Sequence, residues 1–142
     1  MIPVRLLRLP ASALAACSAA AVAAFPDEAC ALLEGEVIDG RAHAHALHLT
    51  ANVAADRRAT FEVDPRALLR LHRETRARGS ALIGVWHSHP NGVAVPSATD
   101  FAQAYDPALV WLLTPVTAMG AGAARAYRVG PHEFLEIDLV SA

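Results

Sequence analysis

Six consecutive apolar residues, Ala81-Leu82-Ile83-Gly84-Val85-Trp86, constrain the fold of this chain more than any other stretch. The run has the length of a strand, and a strand without polar alternation has to be covered on both faces. That requires a sheet with helices packed against it. The residues upstream supply one helix: Asp64 is an N-cap, Pro65 suits the first helical position, Leu68, Leu69, Leu71 and His72 form an inner face, and Gly79 ends it. A second helix is expected over residues 11–24, after Pro10 and before Pro26.

The remaining segments read mostly as strands. Residues 2–9 alternate loosely, as an edge strand does, and residues 28–34 form a short, largely buried strand ending at Gly35. Asp39-Gly40 is a hairpin signal between Glu36-Val37-Ile38 and residues 42–49. Residues 60–63, 109–113, 125–129 and 134–140 are further strands, and Ser97 can cap a third helix running through Phe101 to Tyr105. The expected class is α/β: one mixed β-sheet of six to eight strands flanked by about three helices. At 142 residues the chain has room for one core, so residues 1–142 are expected to form a single domain.

Composition narrows the function. A net charge of -2 lacks the basic field that nucleic-acid binding requires. No stretch is apolar enough to span a bilayer as a helix, so a membrane is not expected as a partner. Arg5 and Arg8 ahead of Leu14-Ala15-Ala16-Cys17 resemble a lipoprotein processing site, but the intervening apolar core is short and holds Pro10; the expected location is the cytoplasm. Cys17 and Cys30 are too few for a disulfide framework or a four-cysteine zinc site, which leaves His and carboxylates to hold any metal.

The central strand runs into His87-Ser88-His89-Pro90. Two histidines one residue apart on a strand face the same way and can reach one ion. Asp100, after a loop long enough to fold back, would be a third ligand, and three protein ligands with an open fourth position describe a catalytic rather than a structural zinc site. Glu28 is the leading candidate for a base, and Ser97 for a donor to a developing oxyanion. Plainer readings stand beside these: an ordinary pair of strand histidines, a Ser97–Asp100 capping box, a solvated Glu28 and a Cys30 that is only a small buried hydrophobe. His43, His45 and His48 form a second cluster, but His48 has the opposite parity and exposed hairpin histidines usually bind nothing. His132-Glu133 lacks the second histidine of H-E-x-x-H, and deaminase, nucleophile-elbow and P-loop patterns are missing.

Glu28 within Pro26-Asp27-Glu28-Ala29-Cys30, then His87-Ser88-His89-Pro90, six residues, Ser97, two residues and Asp100, resemble the JAMM motif of MPN+ domain metalloproteases in their compact prokaryotic form. The resemblance extends to Asn52-Val53-Ala54, to Phe61-Glu62-Val63-Asp64-Pro65 and to Ile83-Gly84-Val85-Trp86. It implies a cytidine-deaminase-like fold, with His87, His89 and Asp100 as zinc ligands, Glu28 as general base and Ser97 assisting the oxyanion. It further implies an isopeptidase-like hydrolase that cuts after the C-terminal glycine of a ubiquitin-like β-grasp protein, often a small sulfur carrier in bacteria. Such a thin tail would suit a narrow groove and could pair with a sheet edge. Ala31 departs from the glycine usual after the cysteine, and the region from His43 to His48 matches nothing in the family. The rival expectations are a non-catalytic MPN scaffold and a zinc amidohydrolase acting on a small amide.

Overall fold

The computed structural model describes residues 2–142. In chain order the elements are β1 (Leu6–Leu9), α1 (Ala11–Ala24), β2 (Cys30–Ile38), β3 (Arg41–Thr50), α2 (Pro65–Ala77), β4 (Ala81–His89), α3 (Ala98–Ala102), β5 (Val110–Thr117), β6 (Gly120–Ala121), β7 (Arg125–Val129) and β8 (Phe134–Ser141). Eight strands and three helices make up a mixed α/β fold of the expected class.

Side-chain direction sorts the central strands between two cores, with the alternation of β4 broken at Ile83, where its pairing with β2 shifts register between Leu33 and Glu34. Ala31 and Leu33 of β2, Ile83 and Trp86 of β4, and Val110, Leu112 and Val116 of β5 pack with Cys17 and Ala21 of α1. Cys30, Leu32, Val85, Trp111 and Leu113 pack on the other side with Phe61, from the loop before α2, and with Leu71 of α2. The apolar run of β4 is therefore covered twice, which is why it shows no polar alternation. α2 starts as its sequence indicates, with the Asp64 side chain accepting from the Arg66 amide and Pro65 at the start of the helix.

The strand order is β4-β2-β3-β1-β8-β7-β5-β6, and β4 also pairs with β5, which closes seven strands into a ring and leaves β6 with one neighbour. Several expectations are corrected by this. The first strand spans only Leu6–Leu9 and is no edge: β3 and β8 flank it on both sides in parallel. Because β1 is short, it pairs with β3 only at Arg41–His43 and leaves the rest of β3, to Thr50, without a partner on that side. Residues 60–63 make only an isolated bridge between Asn52 and Val63. The second strand begins at Cys30 rather than Glu28 and passes through Gly35 to Ile38. Gly35 does not stop it because the glycine is there for a close approach: a Cβ would lie 1.9 Å from the His43 carbonyl oxygen. The Asp39-Gly40 turn forms as expected, both residues having positive φ (52° and 76°).

Candidate metal centre

His87 and His89 end β4, where alternation puts both on the α2 face and Ser88 opposite. Beyond the pairing of Cys30 with His87, Ser88 takes over the ladder: its amide donates to the Ala29 carbonyl (3.0 Å) and its Oγ accepts from the Ala29 amide (2.8 Å). This carries Glu28 to His87. Glu28 Oε1 lies 3.1 Å from His87 Nδ1, with both side chains buried.

The chain then turns at Pro90 and returns through a loop tied down at two carbonyls. His89 Nδ1 hydrogen-bonds the Val93 oxygen (3.0 Å), and the Tyr127 hydroxyl donates to the Ala94 oxygen. α3 opens with a full capping box. Ser97 Oγ accepts from the Asp100 amide (3.0 Å), and Asp100 Oδ2 accepts from the Ser97 amide (2.9 Å). That same Oδ2 is 3.3 Å from His89 Nε2 and 3.7 Å from His87 Nε2.

The donor set can be tested against a cation. In neutral imidazoles whose Nδ1 faces an acceptor, Nδ1 carries the proton and Nε2 is a bare lone pair. The Glu28 carboxyl and the Val93 carbonyl impose this on His87 and His89 respectively. With both rings neutral, both Nε2 atoms point their lone pairs at Asp100 Oδ2, so that three acceptors converge on a place that needs a cation or, at His89, a proton. His87 Nε2 is the buried side-chain polar atom left without a hydrogen-bond partner among the described residues. Two buried carboxyl groups, each negative when ionised, add up to the charge of one divalent ion. An N, N, O set with second partners on each imidazole fits a transition metal such as zinc.

Local electrostatics agree with an ionised Asp100. Burial works against its carboxylate, but the His89 hydrogen bond, the nearby His87 and the Ser97 amide outweigh burial and hold its pKa below the ordinary aspartate value. Burial likewise works against a charged His89, yet Asp100 and the Val93 carbonyl overcome it and raise the imidazole above 6.5. A metal ion bound at His89 Nε2 would displace that proton.

The structure thus brings Glu28, His87, His89 and Asp100 together, and Glu28, His87 and His89 offer ligand atoms within 4.8 Å of one another. Ser97 stands one step back, on Asp100 rather than on the histidines, and its capping role is the one the hydrogen bonds display. The other histidines lie elsewhere: His45 Nε2 meets Ser80 Oγ (3.2 Å) and His48 Nε2 meets Glu34 Oε1 (2.8 Å). Spacing alone did not single out Phe61, whose ring stacks on His87 at 4.5 Å, or Trp111, which meets His87 edge-on at 5.5 Å. Each is an apolar residue on the same face as the histidines, a signal visible only once the sheet is assembled. Cys30 is a small buried residue near Thr50, its thiol pushed up by burial.

Comparison with known proteins follows this geometry. The sequence profile of the prokaryotic homologs of the JAB domain matches residues 10–130. The desampylase of Haloferax volcanii is 38% identical over 88 residues, covering 62% of each chain. A probable TtuB-protein conjugate cleaving protease of Thermus thermophilus is 32% identical over 76 residues, covering 54% of this chain and 47% of that protein. The chain therefore spans less than two thirds of the length of these two curated relatives. Among solved structures, a Desulfitobacterium hafniense protein superposes with a TM-score of 0.84 at 26% identity, covering 96% of this chain and 92% of that one. A Salinibacter ruber protein gives 0.72 at 30% identity, over 95% and 91%. A JAB1/MPN domain protein from Archaeoglobus fulgidus gives 0.59 at 21% identity, over 94% and 99%, which is a likeness of fold. Since the family match spans α1 to the end of β7, and so includes every element that contributes to the centre, the chain belongs to the prokaryotic homologs of the JAB domain.

Proposed function

We propose that this chain is a zinc-dependent metallopeptidase that hydrolyses the peptide or isopeptide bond after the C-terminal glycine of a ubiquitin-like β-grasp protein of the sulfur-carrier type. The observation that carries the reading is the orphaned His87 Nε2, aimed with His89 Nε2 at one oxygen of Asp100 while the Glu28 carboxyl stands against the same imidazole. The names of two relatives, a desampylase and a protease cleaving TtuB-protein conjugates, point to conjugates of small proteins as the substrate class.

His87, His89 and Asp100 would hold the zinc ion, which supplies an activated water near neutral pH and polarises a carbonyl. The chain's own groups do the rest. Glu28, buried beside the ligand atoms, takes the proton of the attacking water and passes it to the leaving amine. Ser97 Oγ spends a lone pair on the Asp100 amide, so its O–H is free to donate to the carbonyl oxygen as charge develops there. Phe61 and Trp111 wall His87 from solvent, which strengthens each of these interactions.

We infer also that residues 1–142 work as one domain, because the pairing of β1 with β8 ties the two ends of the described chain into one ring. The proposed setting is the cytoplasm; among the described residues no helix is long and apolar enough to cross a membrane. The test is a zinc assay paired with a mass shift. Purified protein should carry about one zinc per chain, with Asp100→Asn carrying almost none, and should release a β-grasp carrier from a conjugate. Zinc-free wild-type protein at neutral pH would overturn the reading in favour of a binding scaffold. Turnover of a small amide without any carrier tail would favour an amidohydrolase.

A further inference from the structure

Glu28 sits two residues outside β2, and neither of its backbone polar groups enters the sheet ladder. Its amide donates to the Arg57 carbonyl (2.6 Å), and its carbonyl accepts from Asn52 Nδ2 (2.8 Å). The segment doing the holding, residues 51–62, is mostly exposed and has one isolated bridge as its regular structure. A surface loop of that kind opens easily unless something ties it down.

Asn52 ties it down. The same Nδ2 donates a second bond to the Thr60 carbonyl (3.1 Å), and Oδ1 accepts from the Ala54 amide (3.0 Å) and the Glu62 amide (3.1 Å). Two donated and two accepted bonds use the full capacity of a primary amide. Thr60 continues the link: its hydroxyl donates to Gln103 Oε1 (3.1 Å), and Gln103 is the C-cap of α3, the helix that carries Asp100. A single side chain therefore joins the backbone of Glu28 to the loop that braces the far side of the centre.

We propose that Asn52 is a positioning residue for Glu28, setting the carboxylate against the metal-binding imidazoles through the Glu28 carbonyl. This rests on the reading of Glu28 as the base. No other residue type fits as well. Aspartate cannot donate to two carbonyls and would set a negative charge against them. Glutamine places the same amide one methylene too far out, and alanine offers nothing. A base that drifts by about 1 Å costs on the order of a hundredfold in rate, although binding of ion and substrate is untouched.

The test compares Asn52→Ala, Asn52→Asp and Asn52→Gln with wild type and with Glu28→Gln. Zinc content, kcat and KM are measured on the loaded protein, and amide hydrogen exchange on the metal-free protein. The expected result for Asn52→Ala is a kcat lower by roughly ten- to a hundredfold, with KM within about twofold and zinc content unchanged. Exchange at the Glu28 amide should quicken by about tenfold or more in that variant, while the Ala29 amide, held by Ser88, keeps its protection. Asn52→Gln should recover part of kcat and Asn52→Asp should not. Where Asn52→Ala does not fold, the equal-sized Asn52→Asp gives the same comparison. Unchanged kcat in a variant set where Glu28→Gln is inactive overturns the clamp and leaves the enzyme reading standing. An unimpaired Glu28→Gln sinks the base assignment instead, and the clamp is then decided by Glu28 exchange: unaltered protection in Asn52→Ala overturns it.

Discussion

In the proposed assignment Asp100 and the two imidazoles are ligands and Glu28 is the base beside them, so substitutions at these positions should fail in different ways. Glu28→Gln keeps the Nε2, Nε2 and Oδ2 atoms and should retain zinc while losing about a hundred- to ten-thousandfold of its turnover, read by paired metal analysis and kinetics. His87→Ala should lose ion and activity together. Ser97→Ala tests two roles at once. Loss of the cap should cost about 1 kcal/mol of stability. Loss of the oxyanion donor should lower kcat by about a hundredfold or more without a matching rise in KM. The raised pKa of His89 sets the pH dependence. In the metal-free protein its protonated form adds stability that is present below 6.5 and lost as pH rises through the raised value. Zinc loading runs the opposite way, so affinity measured by competition with a chelator should already weaken above pH 6.5 as the solution is acidified. The two histidines and Asp100 were legible as residues because strand parity and motif spacing are local. The roles of Asn52 and Phe61 were not, although both lie in stretches that carry the family resemblance, since each acts by touching a residue far away in the chain.

At the scale of elements, boundaries were legible wherever the signal was steric. Pro10 and Pro26 bracket α1, Asp64-Pro65 opens α2, and Asp39-Gly40 turns the β2–β3 hairpin. The apolar run ends at Trp86, and the strand continues through His89 as the paired histidines imply; those polar residues stay in the ladder because β5 pairs alongside them. Also illegible was the fastening of α2 to the sheet. Glu34 is buried, yet it accepts from Arg78 Nε (3.2 Å) and Nη2 (2.9 Å) at the C-terminal end of α2, and from His48 on β3. The Arg78 hydrogen bonds, working against burial and helped by His48, hold the Glu34 carboxyl at about 2. A depressed carboxyl stabilises the fold above its ordinary value of 4.5, and that contribution disappears as pH falls from 4.5 toward 2. Glu34→Gln should therefore cost on the order of 2 kcal/mol at pH 7, allowing for screening of the half-exposed arginine, and the gap to wild type should narrow as pH falls below 4.5 and close only near pH 2 in urea melts.

Across the whole molecule, the sheet was expected as six to eight strands, and its closure was not foreseen. Nothing local in residues 6–9 announces that they lie between β3 and β8, because a parallel partner is chosen by the packing of distant segments rather than by a turn. Closure has a mechanical consequence. Removing β8 from Phe134 onward should strip partners from both β1 and β7, giving a chain that aggregates on sizing columns instead of one that is merely less stable. Intact protein should melt in a single transition by both circular dichroism and tryptophan fluorescence, Trp86 and Trp111 reporting from the two opposite cores.

Asp100 Oδ2 closes the first turn of α3 and also faces both imidazole nitrogens. With Asp100 as the proposed ligand, helix order and ion affinity at this corner are one free energy seen from two sides. By reciprocity, whatever firms the α3 turn tightens the grip on the cation, and a chelator that strips the cation should loosen that turn by an equal amount.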